Sequence, residues 1–318
     1  MERAYGSTVW RLPEDYLSYE SFLSAVRRLD MTSSPGIPYM REATTNGEWL
    51  RWNGLFADQF RLDSLWYDVR LVLSGEFETI LRAFVKQEPH KKAKADEGRW
   101  RLILASPLSV QVAWHMLFDF QNDLEIDRSY YIPSQQGIKL VGGGWKSYLR
   151  LWKSMGLNAG LDKSAWDWTA PFWALEWDLE FRFRMGRGKR MTEWLEIAKR
   201  LYAEMFSHPL VALSNGSLYR QTVPGVMKSG CVNTISTNSH MQVMIHILAC
   251  EKQGVDYEPL PVCCGDDTLQ TLDQSADLSA YSAYGVVVKT ATEGFEFVGH
   301  EFTEGGPHPM YMAKHIKK

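Results

Sequence analysis

The chain has 318 residues, of which 45% are hydrophobic and 23% charged, with a formal net charge of -3. That length buries a sizeable core in one large domain or two smaller ones, and the composition excludes a disordered tail. A balance this near neutrality excludes a uniformly basic nucleic-acid binder and directs attention to where the cations sit.

They sit in two stretches. The window from Arg82 to Arg101, "RAFVKQEPHKKAKADEGRWR", carries seven Lys/Arg against three acids, and "RFRMGRGKR" (Arg182 to Arg190) has five basic residues in nine. The four cysteines, Cys231, Cys250, Cys263 and Cys264, form no CxxC pair, which fits a reduced intracellular protein. No apolar run approaches the roughly 20 residues that span a bilayer, and "MERAYGSTVWRLPEDY" has no signal-peptide apolar region.

In chain order, "YESFLSAVRRL" and "LSVQVAWHMLFDFQNDL" have helical apolar spacing, with loops at "TSSPGIPY" and "VGGGW". "MGLNAGLD" (Met155 to Asp162) reads as a buried strand that delivers a carboxylate at its end. Helices are expected over Phe172 to Arg184 and Met191 to Phe206, then a hairpin in "LVALSNGSLYRQ" with Asn215 and Gly216 in a type I′ turn. Cys231 to Glu251 is helical in spacing. After it come a hairpin at "CCGDDTLQ", a helix near Leu278 to Tyr284, the strand "GVVVK" and a strand pair through "FEFVGHEF". This order suits an α+β domain with an antiparallel sheet backed by helices.

Four stretches offer chemistry, each with a plain structural alternative. In "GDD" the glycine and the first aspartate are ordinary turn residues, so a solvated hairpin explains them as well as a functional carboxylate pair does. In "DKSAWDW", Asp162 can end a strand and Asp167 can cap the next helix. "SGCVNTISTNS" puts Ser229 and Gly230 in a flexible loop before a helix, with Thr234 and Asn238 on one face; polar residues there also suit a side facing water. In "FVKQEPHKKAKADEGRWRLILAS", Lys86, Lys94, Arg99 and Arg101 precede an apolar strand, where guanidinium groups are firmly held for triphosphate oxygens, whereas Lys91 and Lys92 suit a solvated face. "GGGWKS" lacks the spacing of a phosphate-binding loop, and the histidines, His90 and His315 among them, show no zinc pattern.

Taken together and in order, these stretches resemble the RNA-dependent RNA polymerases of positive-strand RNA viruses, most closely the sobemovirus-like ones. "SSPGIPY" resembles the family's motif G, "KQEPHKKAKADEGRWRLI" motif F, "DKSAWD" motif A, "SGCVNTISTN" motif B, "GDD" motif C, "YGVVVK" motif D and "FVGHEF" motif E. The resemblance runs from about Ser33 to Phe302 and implies a right-hand polymerase: fingers over 1–154, and a palm over 155–298 with a fingers insertion near 187–222. Residues 299–318 would end the palm and begin a thumb. Only 16 residues follow "FVGHEF", so the thumb is expected to be short or missing.

The resemblance further implies that Asp162 and Asp266, supported by Asp267, hold two Mg²⁺ ions, with Mn²⁺ as a substitute, and that Lys289 protonates pyrophosphate. Lys86, Lys94, Arg99 and Arg101 would bind the nucleoside triphosphate, Arg101 being the best match to the family's triphosphate arginine. Many relatives have Arg where this chain has His90. Asp167 and Asn238, with Ser229, Gly230 and Thr234, would read the incoming nucleotide's sugar, and Ser34, Pro35 and Gly36 would meet the template. The implied partners are RNA template and product, nucleoside triphosphates, other viral replication proteins and a thumb segment from elsewhere. The implied location is the host cytoplasm, with recruitment to membrane replication complexes by partners. An RNA-binding module inactive for want of a thumb is the reading from another class. A reverse transcriptase is disfavoured by the SGxxxTxxxN pattern of motif B together with the second acid of motif A.

Overall fold

The computed structural model describes residues 1–89, 92–312 and 316; His90, Lys91 and His315 lie outside the described residues. The first third carries β1 (Trp10–Arg11), α1 (Tyr19–Arg27), α2 (Asn46–Trp49), α3 (Gln59–Ser74), β2 (Ile80–Val85), α4 (Lys92–Asp96), β3 (Leu102–Ala105) and α5 (Leu108–Asp127). The middle continues with α6 (Trp145–Ser154), β4 (Ala159–Lys163), α7 (Trp166–Thr169), α8 (Phe172–Met185), β5 (Gly186–Arg187), α9 (Met191–Phe206), β6 (Leu210–Ala212), β7 (Leu218–Arg220) and α10 (Thr234–Gln253). The remainder is β8 (Val262–Cys264), β9 (Asp267–Gln270), a 3₁₀ turn over Leu278–Tyr284, β10 (Val288–Glu293), β11 (Glu296–Phe297), β12 (His300–Thr303) and β13 (Gly306–Pro309).

Local chemistry sets several of these bounds. Ser18 and Asp58 cap α1 and α3 by accepting the amides of Ser21 and Arg61, and α10 stops where Gly254 turns left-handed at φ +72°. The expected strand "GVVVK" begins only at Val288, because Gly285 (φ +86°) is still closing the preceding 3₁₀ turn.

One antiparallel sheet is ordered β10-β4-β9-β8. A second, ordered β3-β2-β6-β7, joins distant parts of the chain, since β2 pairs antiparallel with β3 but parallel with β6. The β6–β7 hairpin forms as expected, but its connection is not a type I′ turn. Residues 213–217 make a wider loop in which the Asn215 side chain accepts the Ser217 amide at 3.0 Å, a local bond that competes with the tight turn. The third sheet, β11-β12-β13, has Pro307 and Pro309 on its last strand. It shares a core with α6 in which Trp145 and Trp152 meet Phe297 and Phe302.

A buried polar network joins α5, α8, α9 and α10. Glu125, Asp178, Arg182 and His240 are all wholly buried. His240 is bonded through Nδ1 to Asp178 at 2.6 Å and through Nε2 to both Glu125 oxygens at 2.9 Å. The second Asp178 oxygen accepts from Arg182 Nε at 2.9 Å, Tyr202 at 2.7 Å and Thr237 at 2.8 Å. Arg182 Nη2 donates onward to Ser236 at 2.7 Å. Burial opposes the charge on His240, yet Glu125 and Asp178 outweigh it and hold its pKa above the ordinary value. Burial would likewise raise Asp178, but Arg182 and His240 hold it well below the usual carboxylate range. Two anions and two cations therefore balance, the condition under which such a cluster survives in a medium of low dielectric constant.

That balance makes a prediction. His240→Gln leaves one carboxylate uncompensated and should cost about 3–5 kcal/mol in denaturant unfolding, while Glu125→Gln/His240→Gln restores neutrality and should recover most of the loss. The imidazolium's stabilisation is complete below its unfolded pKa of 6.5 and is lost as pH rises through the raised folded value. A double variant no more stable than the single one would contradict this account.

Candidate active site

Strand alternation decides which way the β4 residues point. Asp162 projects outward with 65% of its side chain exposed, while Lys163, on the opposite face, is buried. Lys163 Nζ bonds Thr268 Oγ1 at 2.6 Å, and burial pushes its pKa down to about 8 against the pull of Asp266, Asp267 and Asp162. On the neighbouring strands, β8 and β9 are joined by the two-residue loop Gly265–Asp266, with Gly265 at φ +65°. Leu161 pairs with Thr268, so Asp162 and Asp267 each stand one residue beyond that pair on adjacent strands.

Asp266 is exposed at the tip of the loop and Asp267 is half-buried. Burial first, then the charges of Asp266 and Asp162, push the Asp267 carboxyl up to about 6, with Lys163 opposing them. At the other edge of β4, a bulge between Val288 and Thr290 turns Lys289 toward Asp162, with Nζ 3.3 Å from Oδ2.

Helix α10 supplies the back wall. Asn238 Nδ2 donates to Asp167 Oδ1 at 3.0 Å, and Asn238 Oδ1 is buried without a hydrogen-bond partner among the described residues. Burial raises the pKa of Asp167, against which Arg101 and Lys86 act. Ser236, Thr237, Asn238, Ser239, His240 and Gln242 are all buried, so this polar run does not face water. Two of its members were not singled out in the sequence: Ser239 Oγ accepts the Gly265 amide at 3.0 Å, and Gln242 Nε2 donates to the Asp266 carbonyl at 3.0 Å. Gln242, four residues from Asn238, shares its helical face and Ser239 does not, and their partners lie 24 and 26 residues away.

The basic stretch is divided. The Lys86 amide bonds the Arg101 carbonyl at 2.8 Å, and Glu88 pairs with both side chains, at 3.3 Å from Lys86 and 2.7 Å from Arg101. Arg99 pairs with Glu97, and Lys94 stands on an exposed face of α4. Ser229 Oγ reaches the Leu102 carbonyl at 3.3 Å, and a Cβ on Gly230 would stand 2.4 Å from the Leu104 carbonyl oxygen. Thr234 spends its hydroxyl on the Lys228 and Cys231 carbonyls, closing the loop before α10. Pro35 and Gly36 are buried against the start of α5, where the Pro35 carbonyl accepts the Leu108 amide at 2.8 Å, and Arg82 reaches Ser34 Oγ at 3.4 Å.

Among the described residues no group of three carboxylate, histidine or cysteine side chains is arranged to hold a metal ion by itself. Two solvent-open carboxylates beside a third whose proton affinity their repulsion raises are nevertheless a fit for Mg²⁺, which takes one or two protein carboxylates and completes its shell with water and substrate phosphates.

Residues 14–291 match the family model for viral RNA-dependent RNA polymerase, and the chain belongs to that family. It is 31% identical to Protein P1-P2 of Pea enation mosaic virus-1, over 94% of this chain and 27% of that protein. It is 33% identical to the Replicase polyprotein P2AB of Southern cowpea mosaic virus, over 78% and 26%. With the RNA-directed RNA polymerase of Mushroom bacilliform virus it shares 31% identity, over 77% and 60%. The chain thus spans about a quarter of the length of most of these curated relatives. In fold it matches the Sicinivirus 3Dpol RNA-dependent RNA polymerase with a TM-score of 0.73 at 17% identity, covering 97% of this chain and 69% of that one. The family and right-hand fold expected from the motifs are borne out.

Because Ser239 and Gln242 hold the backbone of the Gly265–Asp266 loop, Ser239→Ala and Gln242→Leu should each cost about 1 kcal/mol of stability. In a site that incorporates nucleotides they should cost tenfold or more in that reaction, since displacements of about 1 Å at a reacting centre cost up to about a hundredfold. Thermal unfolding alongside single-turnover kinetics separates the two effects, and unchanged kinetics would remove both residues from the site.

Proposed function

We propose that the chain carries out template-directed RNA synthesis from nucleoside triphosphates for viral genome replication. The observation that carries this reading is the gathering of Asp162 and Asp267 on adjacent strands, with Asp266 in the loop that leads into β9, beside an Asp167–Asn238 pair that itself feels Arg101 and Lys86. A plain solvated hairpin has no use for that assembly.

In this reading residues 1–154 serve as fingers and 155–298 as palm, with 187–222 as an insertion into the fingers. Asp162 and Asp266, supported by Asp267, would hold Mg²⁺ or Mn²⁺, which when bound activates the primer 3′-hydroxyl and neutralises charge on the leaving pyrophosphate. The 3′ oxygen attacks the α-phosphorus in line, the α–β bridging bond breaks, and pyrophosphate departs. Arg101 and Lys86 bind the triphosphate oxygens, with Arg99 and Lys94 extending the positive field outward. Lys289, beside Asp162, carries a proton that the departing pyrophosphate can take. Ser229, Gly230 and Thr234 shape the loop against which the nucleotide rests, and Ser34 would meet the template, with Pro35 and Gly36 packed behind it against α5. RNA and nucleotides are thus the direct partners, and other segments of a viral polyprotein are further ones.

Asp162→Asn and Asp266→Asn should each abolish incorporation on a primed homopolymer template with Mg²⁺ while leaving the circular dichroism spectrum unchanged. Near-normal single-turnover rates in both would end the assignment of these carboxylates.

Sugar selection gives a second measurement. A deoxyribonucleotide leaves the Asp167–Asn238 pair without the 2′-hydroxyl, at a cost of roughly 1–3 kcal/mol, or about one to two decades of discrimination. The ratio of incorporation efficiencies for ATP and dATP should therefore fall toward unity in Asn238→Ala and Asp167→Ala. A ratio equal to the parent's in both variants would place sugar selection elsewhere.

A further inference from the structure

Lys228 stands immediately before Ser229 and Gly230, and its side chain is wholly buried. Its Nζ donates to Gln221 Oε1 at 2.7 Å, the Val226 carbonyl at 2.7 Å and the Gly225 carbonyl at 3.0 Å, so each ammonium proton has one oxygen. It also lies 5.6 Å from the centre of the Phe206 ring. All three oxygens are neutral. An ammonium buried among neutral acceptors is costly to keep, and burial pushes its pKa down to about 7. Apolar packing would fill the space at less cost, so the charge calls for a reason.

The reason lies in the loop that surrounds it. Gly225 adopts φ +112° and Val226 φ +62°, and a β-branched residue in the left-handed region is strained. The strained segment makes the contacts that tie three parts of the candidate site together. The Met227 amide donates to the Asp167 carbonyl at 2.7 Å and the Val226 amide to the Ala170 carbonyl at 3.0 Å. Thr234, at the head of α10, donates to the Lys228 carbonyl at 2.9 Å. Gly230 bridges to Ala105 on β3, the strand that follows Arg101.

We propose that Lys228 is a positioning residue, a built-in cation around which Gln221 and the carbonyls of Gly225 and Val226 fold, and that this clamp sets Asp167, Ser229 and Gly230 for the incoming nucleotide. The proposal rests on the polymerase reading for its kinetic consequence, but not for the clamp itself.

The test compares Lys228→Ala, Lys228→Met and the parent, with n-propylammonium as the probe. The alanine variant leaves room for the probe, whereas methionine fills the space without a charge. Both variants should show faster hydrogen exchange at the Val226 and Met227 amides and a KM for ATP raised about tenfold, with kcat changed less. Propylammonium should restore slow exchange and KM in Lys228→Ala and leave Lys228→Met unimproved. Folded variants with parental exchange and KM, or a probe that acts equally on all three proteins, would overturn the proposal. Restored exchange in a chain with no incorporation under any condition would uphold the clamp and reject the polymerase reading instead.

Should neither variant fold, the unsubstituted chain gives the answer. Among the described residues, the titratable group acting on this ammonium is the Cys231 thiol, which burial pushes up to about 12 and keeps neutral. As pH rises through about 7 the ammonium loses its proton, so protection of the Val226 and Met227 amides, corrected for intrinsic rates, should fall. Protection that stays flat across that range would also overturn the proposal.

Discussion

The charge-balanced cluster of Glu125, Asp178, Arg182 and His240 fixes the helix that meets both Asp167 and the Gly265–Asp266 loop. Ser236, Thr237 and His240 bind α10 to α5 and α8 from behind. On other faces of the same helix, Asn238 meets Asp167, while Ser239 and Gln242 hold the Gly265–Asp266 loop. At 3.6 residues per turn, a slip of one position would rotate these groups by about 100° and break all three sets of contacts together. Apolar interiors of equal volume are often as stable as buried ion clusters, but they offer no directional bonds to fix such a rotation. The polar interior of α10 is best understood as setting an angle.

At the front of the site the balance is deliberately incomplete. Three carboxylates, Asp162, Asp266 and Asp267, face two ammonium groups, Lys163 and Lys289, and the proton affinity of Asp267, raised first by its burial, is raised further by the charges of Asp266 and Asp162. Adjacent acids persist there because Asp162 and Asp266 stay in solvent, while Lys163 sits beneath the strands and offsets part of the repulsion through the protein. Full neutralisation would leave nothing to attract a cation or a phosphate-bound metal. The neutral cluster behind α10 and the under-neutralised edge before it do opposite work, and the first keeps the second in shape.

What was legible in the sequence were features whose causes are local. The helices over Phe172–Met185 and Met191–Phe206, the Asp162 strand and the glycine turn of the "GDD" hairpin each follow from spacing or turn chemistry within a few residues. The order of the motifs was legible too, because it is a property of the chain. Pairings across long separations were not. Glu125 and His240 lie 115 residues apart, and nothing near either marks them as partners. Arg182 opens a stretch with five basic residues in nine, yet it is wholly buried. Nothing near Lys228 in the sequence marks it as buried either, since the carbonyls that hold it converge only because Gly225 and Val226 take left-handed backbone.

The glycines carry the same lesson in a sharper form. Gly230 reads as flexibility in a small-residue loop, but its role is proximity: a Cβ there would meet the Leu104 carbonyl oxygen at 2.4 Å. Gly36, from a loop almost two hundred residues earlier, presses on the residue after β3, where a Cβ would meet the Ser106 carbonyl oxygen at 2.6 Å. The end of β3 is thus gripped by two glycine backbones, one from each of the loops proposed to meet template and nucleotide. Arg101 lies just before that strand, so its direction depends on how closely both loops approach. Bulk at either glycine would shift the strand that Arg101 leads into, because backbone on both sides leaves no flexible side chain to yield.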